Sequence, residues 1–201
     1  MLKANLKTEQ TDRLLQGLSR LGLSANGWTL LSLAPAAAGL AALAAAHSLT
    51  AGLVLFALSG FIDMVDGAVA RATGQASTRG AFIDGVVDRY VELLLYLGLL
   101  LFLGRGEFLG LPNELWFMLL IFGAIMTAFV RAYADHRGLV KDEQELKKMG
   151  GLLERGERLL LIYAGMAAGI FDPEWLMAVV ALTAVLANAT ALQRIWFAVE
   201  K

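Results

Sequence analysis

Asp63 and Asp66 stand three residues apart and Asp84 and Asp88 four apart, all in stretches apolar enough to cross a bilayer. A carboxylate at membrane depth is costly unless it is paired, binds a cation or faces a water-filled cavity. Spacings of three and four put each pair on one helix face. Between the pairs, Gly74, Gln75, Ser77, Thr78 and Gly80 make a turn that folds the two helices antiparallel, so the four carboxylates converge. Oxygen-only ligands favour hard divalent ions such as Mg²⁺, Mn²⁺ or Ca²⁺, and four of them can hold two ions close together. Two-ion sites stabilise the attacking and leaving oxygens of phosphoryl transfer. Gly67 and Ala70 have minimal side chains and leave space for a ligand against the helix backbone. Arg71 adds a planar fork for phosphate. The competing explanation is a carboxylate–arginine network that only stabilises helix packing, using Arg71, Arg79 and Arg89; such a network would not need small residues one turn beyond the acids.

The elements that must position these groups are set by composition. The chain has 201 residues, 58% hydrophobic and only 17% charged, with a mean hydropathy of +0.63, which is the profile of a membrane protein. With no cysteine there is no disulfide framework, thiolate metal site or cysteine nucleophile. His47 and His136 are too few and too far apart for a histidine metal site. The first apolar run starts only near Gly27, after a mixed-charge segment, unlike a signal peptide. Six segments are apolar enough to span, each about 20 residues: 27–46, 50–71, 81–103, 113–136, 155–171 and 174–197. Before them, Leu14, Leu15, Leu18 and Leu21 recur at helical spacing among polar residues, predicting an amphipathic interfacial helix over Thr8–Leu21. The expected fold is an all-α integral membrane protein: six transmembrane helices with an N-terminal amphipathic interfacial helix. It is a single domain, with residues 1–24 as the juxtamembrane segment and 25–201 as the six-helix bundle. The charged stretch 141–148 reads as a solvated loop.

Orientation follows from lysine and arginine. An even number of spans puts both termini on one side, and of the 17 basic residues only Arg105 falls on the other. The positive-inside rule then places both termini, and the aspartate ends of spans two and three, in the cytoplasm of a multi-pass cell-membrane protein.

The run from Asp63 to Asp88 matches, without a gap, D-x₂-D-G-x₂-A-R-x₈-G-x₃-D-x₃-D. On these residues the chain resembles the CDP-alcohol phosphatidyltransferases, and the six spans and amphipathic N-terminal segment extend the resemblance over nearly its whole length. The resemblance implies that Asp63, Asp66 and Asp84 hold a pair of Mg²⁺ or Mn²⁺ ions and that Asp88 is both ligand and general base. It further implies that Asp66, Gly67, Ala70 and Arg71 bind the CDP part, with Ser77 and Gly80 lining it. A P-N-x-x-T segment before span one contributes in that family; here Ala25-Asn26-Gly27-Trp28-Thr29 occupies its place, implicating Asn26 and Thr29. Members pair as homodimers.

The remaining arginines bear on the acceptor. Arg131 closes span four, Arg155 and Arg158 open span five, and Arg194 ends span six. Arginines aimed at a common cavity suit an acceptor with its own phosphate, whereas arginines that merely snorkel anchor the spans and do nothing else. The stretches around them resemble the branch of the family that makes phosphatidylinositol phosphate and its archaeal ether-lipid counterpart. By that resemblance Arg131, Arg155 and Arg194, with Arg158 beside them, grip the phosphate of inositol 1-phosphate. The expected partners are therefore a CDP-lipid donor, a phosphorylated polyol acceptor, the lipid bilayer and a second copy of the chain, and no nucleic acid. Glycerol 3-phosphate, serine or another alcohol as acceptor, and CDP-inositol as donor, remain alternatives within the same chemistry. A cation transporter remains the alternative outside it.

Overall fold

The computed structural model describes residues 24–72, 74, 77–140 and 142–200, without the side chains of Ala25, Arg71, Ala72, Glu143 and Lys147. The expected amphipathic helix over Thr8–Leu21 lies outside the described residues. The chain divides into two compact units, the first ending at Phe102 and the second beginning at Leu103.

The first unit is helical: α1 (Ala25–Leu31), α2 (Leu33–Ala44), α3 (Leu49–Ala72) and α4 (Thr78–Leu103). Ser24 caps α1, its Oγ accepting from the Gly27 amide at 3.2 Å. The sequence reads span one as a single element, but the helix is interrupted at Ser32. Pro35 explains the interruption: its ring crowds the carbonyl of Leu31 and it has no N–H to donate back. Hydroxyls add bonds at the break, Ser32 Oγ donating to Thr29 O at 2.7 Å and Ser59 Oγ of α3 donating at 2.8 Å to Ser32 O, which also accepts from Ala36 N at 3.4 Å. Both α1 and α2 pack on α3, and Ala36, Leu43, Phe56, Leu95, Tyr96 and Leu99 form the buried centre.

The second unit begins with a hairpin, β1 (Glu107–Phe108) and β2 (Leu111–Pro112), where the sequence suggests only a loop. Its two-residue turn has Leu109 at φ 52° and Gly110 at φ 75°, the left-handed pair that matches strand twist. Trp116 Nε1 donates to Phe108 O at 2.9 Å and ties the hairpin to the next helix. Then follow α5 (Asn113–His136), α6 (Glu143–Lys148), α7 (Arg155–Gly169) and α8 (Pro173–Val199). Helix α5 ends at Gly138 (φ 71°), whose amide bonds Asp135 O at 2.9 Å while Leu139 N bonds Ala134 O at 3.0 Å. Stretch 141–148, read as a solvated loop, instead carries α6, capped by Asp142 through Gln144 N at 3.0 Å. Leu146 and Met149 seat it on Ala134, Val140, Phe197 and Ala198. Asp172 caps α8 through Glu174 N at 2.9 Å, with Pro173 preset for the first turn. Helix α8 packs on α5 and α7.

Among the described residues, four stretches are long and apolar enough to cross a membrane: Asn26–Ala44, Leu49–Ala70, Asn113–His136 and Pro173–Val199. Helix α4 has 26 residues, about 39 Å, but carries Asp88, Arg89 and Glu92 within its apolar run. Helix α7 has 15, about 22 Å, short of a hydrocarbon core of ~30 Å.

Close approach between α5 and α8 depends on Gly123. A Cβ there would lie 2.7 Å from Asn188 Nδ2 and 2.9 Å from the Asn188 backbone nitrogen. Asn188 Nδ2 also donates to Leu119 O across the same contact at 2.9 Å. Backbone cannot yield as a side chain tip can, so Gly123→Val should destabilise the protein by about 2 kcal/mol or more. Gly156→Ala, where an added Cβ meets open space, should be neutral. The thermal midpoint of the detergent-solubilised variants checks this, and a Gly123→Val midpoint equal to wild type would contradict it.

Candidate active site

Helix α1 is held on α3 by Trp28, which packs against Ile62, Val65, Ala68 and Val69. The neighbouring face of α3 carries Asp63, Asp66, Gly67 and Ala70 at helical spacing, and α4 brings Asp84 to meet it. One carboxylate oxygen from each of Asp63, Asp66 and Asp84 lies within 4.8 Å of the others. Asp66 is buried and the other two are half-buried. Thr29 reaches across from α1, its Oγ1 donating to Asp66 Oδ2 at 2.6 Å, a short charge-assisted bond between residues that are both buried.

Carboxylates at this distance repel by roughly 3 kcal/mol per pair at an effective dielectric of ~20, so the cluster calls for a cation. The donor set fits one. Mg²⁺ binds oxygens at about 2.1 Å, so two ligands of one ion stand about 3.0 Å apart when adjacent and about 4.2 Å when opposite, separations that side-chain rotation can reach from oxygens lying within 4.8 Å of one another. The all-oxygen set suits Mg²⁺ or Mn²⁺.

Asp88 stands one turn further along α4 and is buried. It is not among the three carboxylates that share the metal-sized space. Its Oδ2 lies 3.8 Å from Arg89 Nη2, and the same nitrogen lies 3.6 Å from Glu92 Oε1. Glu92, only 2% exposed, is missed by the sequence reading. Its signal is the four-residue step that continues from Asp84 through Asp88 into the apolar run.

The residues expected around the nucleotide gather in the same unit. Ser77 caps α4, its Oγ accepting from Gly80 N at 3.0 Å. A Cβ on Gly80 would lie 3.2 Å from that hydroxyl and 3.3 Å from Asn26 Oδ1, so Asn26, Ser77 and Gly80 stand together and a larger residue would crowd them. Gly67 and Ala70 are half-buried. Arg71 follows at the end of α3, and its side chain lies outside the described residues.

The arginines expected to meet the acceptor fall in the second unit. Arg194 of α8 is buried, and Arg131, Arg158 and Glu154 are near enough to act on it electrostatically. Its Nε donates to Gly150 O at 3.1 Å and its Nη1 to Thr127 O at 2.5 Å. Arg158 is 1% exposed. Arg155 is half-buried at the first position of α7, where Glu157 Oε2 accepts from the Glu154 amide at 3.0 Å and closes the helix start.

This geometry has known counterparts. The model of the CDP-alcohol phosphatidyltransferase family matches residues 23–192. An archaetidylinositol phosphate synthase of Methanothermobacter thermautotrophicus is 35% identical over 176 residues, 87% of this chain and 83% of the relative. Mycobacterium tuberculosis phosphatidylinositol phosphate synthase, solved with CDP-DAG bound, aligns with a TM-score of 0.80 at 27% identity, covering 95% of this chain and 94% of that one. The same enzyme in complex with manganese and citrate aligns with a TM-score of 0.78 at 27% identity, covering 94% and 88%. The chain belongs to the CDP-alcohol phosphatidyltransferase family, and it is an enzyme of that family's kind.

Proposed function

We propose that this chain transfers the phosphatidyl-type group of a CDP-activated lipid to a hydroxyl of inositol 1-phosphate and releases CMP, a step of phospholipid synthesis. The observation that carries the reading is the meeting of Asp63, Asp66 and Asp84 within 4.8 Å. Relatives named archaetidylinositol phosphate synthase and phosphatidylinositol phosphate synthase support the acceptor.

Asp63, Asp66 and Asp84, with Asp88 as a further ligand, hold Mg²⁺ or Mn²⁺, which when bound offsets the negative charge of the transferring and leaving phosphates. Thr29 keeps Asp66 oriented for that task. Asn26, Ser77 and Gly80 line the nucleotide, Gly67 and Ala70 leave it room, and Arg71 forks onto its phosphate. Asp88 takes the proton of the acceptor hydroxyl as its oxygen forms a bond to the β-phosphorus. The bond from that phosphorus to the bridging oxygen breaks, and the oxygen leaves with CMP. Arg131, Arg155 and Arg194, with Arg158, hold the acceptor's phosphate.

The membrane arrangement belongs to the same proposal. The α1–α2 pair, α3, α4, α5, α7 and α8 form six spans of a single domain, and two copies associate. Both termini and the active site face the cytoplasm, as the placement of 16 of 17 basic residues supports. A donor with its tails in the bilayer then presents its nucleotide at the cytoplasmic face.

Purified protein should release CMP from CDP-diacylglycerol or its dialkyl ether analogue only when a divalent cation and inositol 1-phosphate are both present. Glycerol 3-phosphate or serine supporting the faster rate would move the assignment to another acceptor. Asp88→Asn should lower turnover by ~10²-fold or more while retaining CDP-lipid binding, and a variant as active as wild type would remove Asp88 from the role of base. Metal binding supplies an independent check. Mn²⁺ added to metal-stripped protein should raise its thermal midpoint, and Asp66→Asn should abolish the rise. Thr29→Val should weaken the half-saturating Mn²⁺ concentration by about tenfold or more. An unchanged half-saturation would show that the Thr29 hydroxyl contributes nothing to the site.

A further inference from the structure

Between α6 and α7 the backbone runs without helical hydrogen bonds, yet one turn of α8 satisfies it residue by residue. Arg194 Nε donates to Gly150 O at 3.1 Å. The Leu152 amide donates to Gln193 Oε1 at 3.0 Å. The Leu153 amide donates to Thr190 Oγ1 at 3.0 Å, and the same hydroxyl donates to Leu186 O at 2.8 Å. Gly151 allows the approach, since a Cβ there would run into the Thr190 methyl. Thr190 and Leu153 are buried, so the bond between them replaces water for an amide that would otherwise be orphaned. Only Glu154, the cap of α7, separates this clamped segment from Arg155. Where the segment sits therefore sets where the first turn of α7 sits.

Arg194 is engaged in the same clamp. Of its five donors, one goes to Gly150 O and one to Thr127 O of α5, so it braces the segment between two helices as well as presenting charge.

We propose that Thr190 and Gln193 are positioning residues for the acceptor's phosphate: by seating Gly150–Leu153 on α8 they hold the first turn of α7, and with it Arg155 and Arg158, in register with Arg131 and Arg194. The proposal rests on the reading of these arginines as the acceptor-phosphate site. It predicts a defect confined to the acceptor, because neither Thr190 nor Gln193 belongs to the unit that carries the nucleotide residues.

The test measures initial rates of CMP release while inositol 1-phosphate and CDP-diacylglycerol are varied separately. Thr190→Val keeps the shape and removes the hydroxyl, and it should raise KM for inositol 1-phosphate about tenfold with KM for the donor unchanged. Thr190→Ser, which restores the hydroxyl, should return KM to near the wild-type value. Gln193 is exposed, so Gln193→Met tests the clamp even if Thr190→Val fails to fold, and it should raise the acceptor KM severalfold. Arg155→Gln serves as the reference. If it raises the acceptor KM while Thr190→Val and Gln193→Met do not, the clamp is wrong and the arginine site stands. If Arg155→Gln leaves the acceptor KM unchanged, the arginine site fails and the clamp's role fails with it. Donor and acceptor KM rising together in the clamp variants would mark a general packing defect and overturn the proposal.

Discussion

Like charges brought together beside lipid set the terms for everything else in this protein. Oxygens of Asp63, Asp66 and Asp84 within 4.8 Å of one another repel, and a divalent cation is the compensation that an all-oxygen cluster fits. The surrounding structure serves that arrangement. Trp28 packs α1 onto α3, which puts Thr29 within 2.6 Å of Asp66. Ser59 of α3 donates to Ser32 O at the break between α1 and α2 and adds a further tie between α3 and the first span. The metal site and the first span thus share the α1–α3 contact.

A second constraint is that every backbone group at membrane depth needs a partner inside the protein. Where the helices depart from regularity, polar side chains on neighbouring elements supply one. Thr190, Gln193 and Arg194 do so for the segment before α7, and Asn188 of α8 adds a bond to Leu119 O of the regular α5. Small residues at the same places, Gly123 and Gly151, let the backbones come close enough for those bonds. Rigidity of this kind matters for an enzyme that must hold charged groups still without solvent to help.

The sequence discloses the parts of this design that are local and periodic. Spacings of three and four between aspartates put them on helix faces, and 113–136 as a span coincides with α5 because apolar length alone determines it. The trio Asp63, Asp66 and Asp84 meets as expected, whereas Asp88 stands a turn away beside Arg89, a distinction that residue spacing cannot make. Contacts between distant segments are illegible in the same way: the resemblance brings Thr29 and Asp66 to one nucleotide site but not to a hydrogen bond with each other, and nothing in the sequence pairs Leu153 with Thr190. The break at Ser32 had a visible cause in Pro35, but apolar composition on both sides masked it. Helix α6 is hidden because the apolar side chains that seat it, Leu146 and Met149, stand among charges. Glu92 was hidden by the apolar run around it, although its four-residue step from Asp88 carries the pattern on.

The central claim is that a divalent cation is held by carboxylates of α3 and α4 together. The most direct measurement is the anomalous difference density of Mn²⁺ in crystals of the protein grown from lipid. A peak is expected within about 2.2 Å of an oxygen from each of Asp63, Asp66 and Asp84. Density bound by only one of the two helices, or none between them with the carboxylates turned apart, would contradict it.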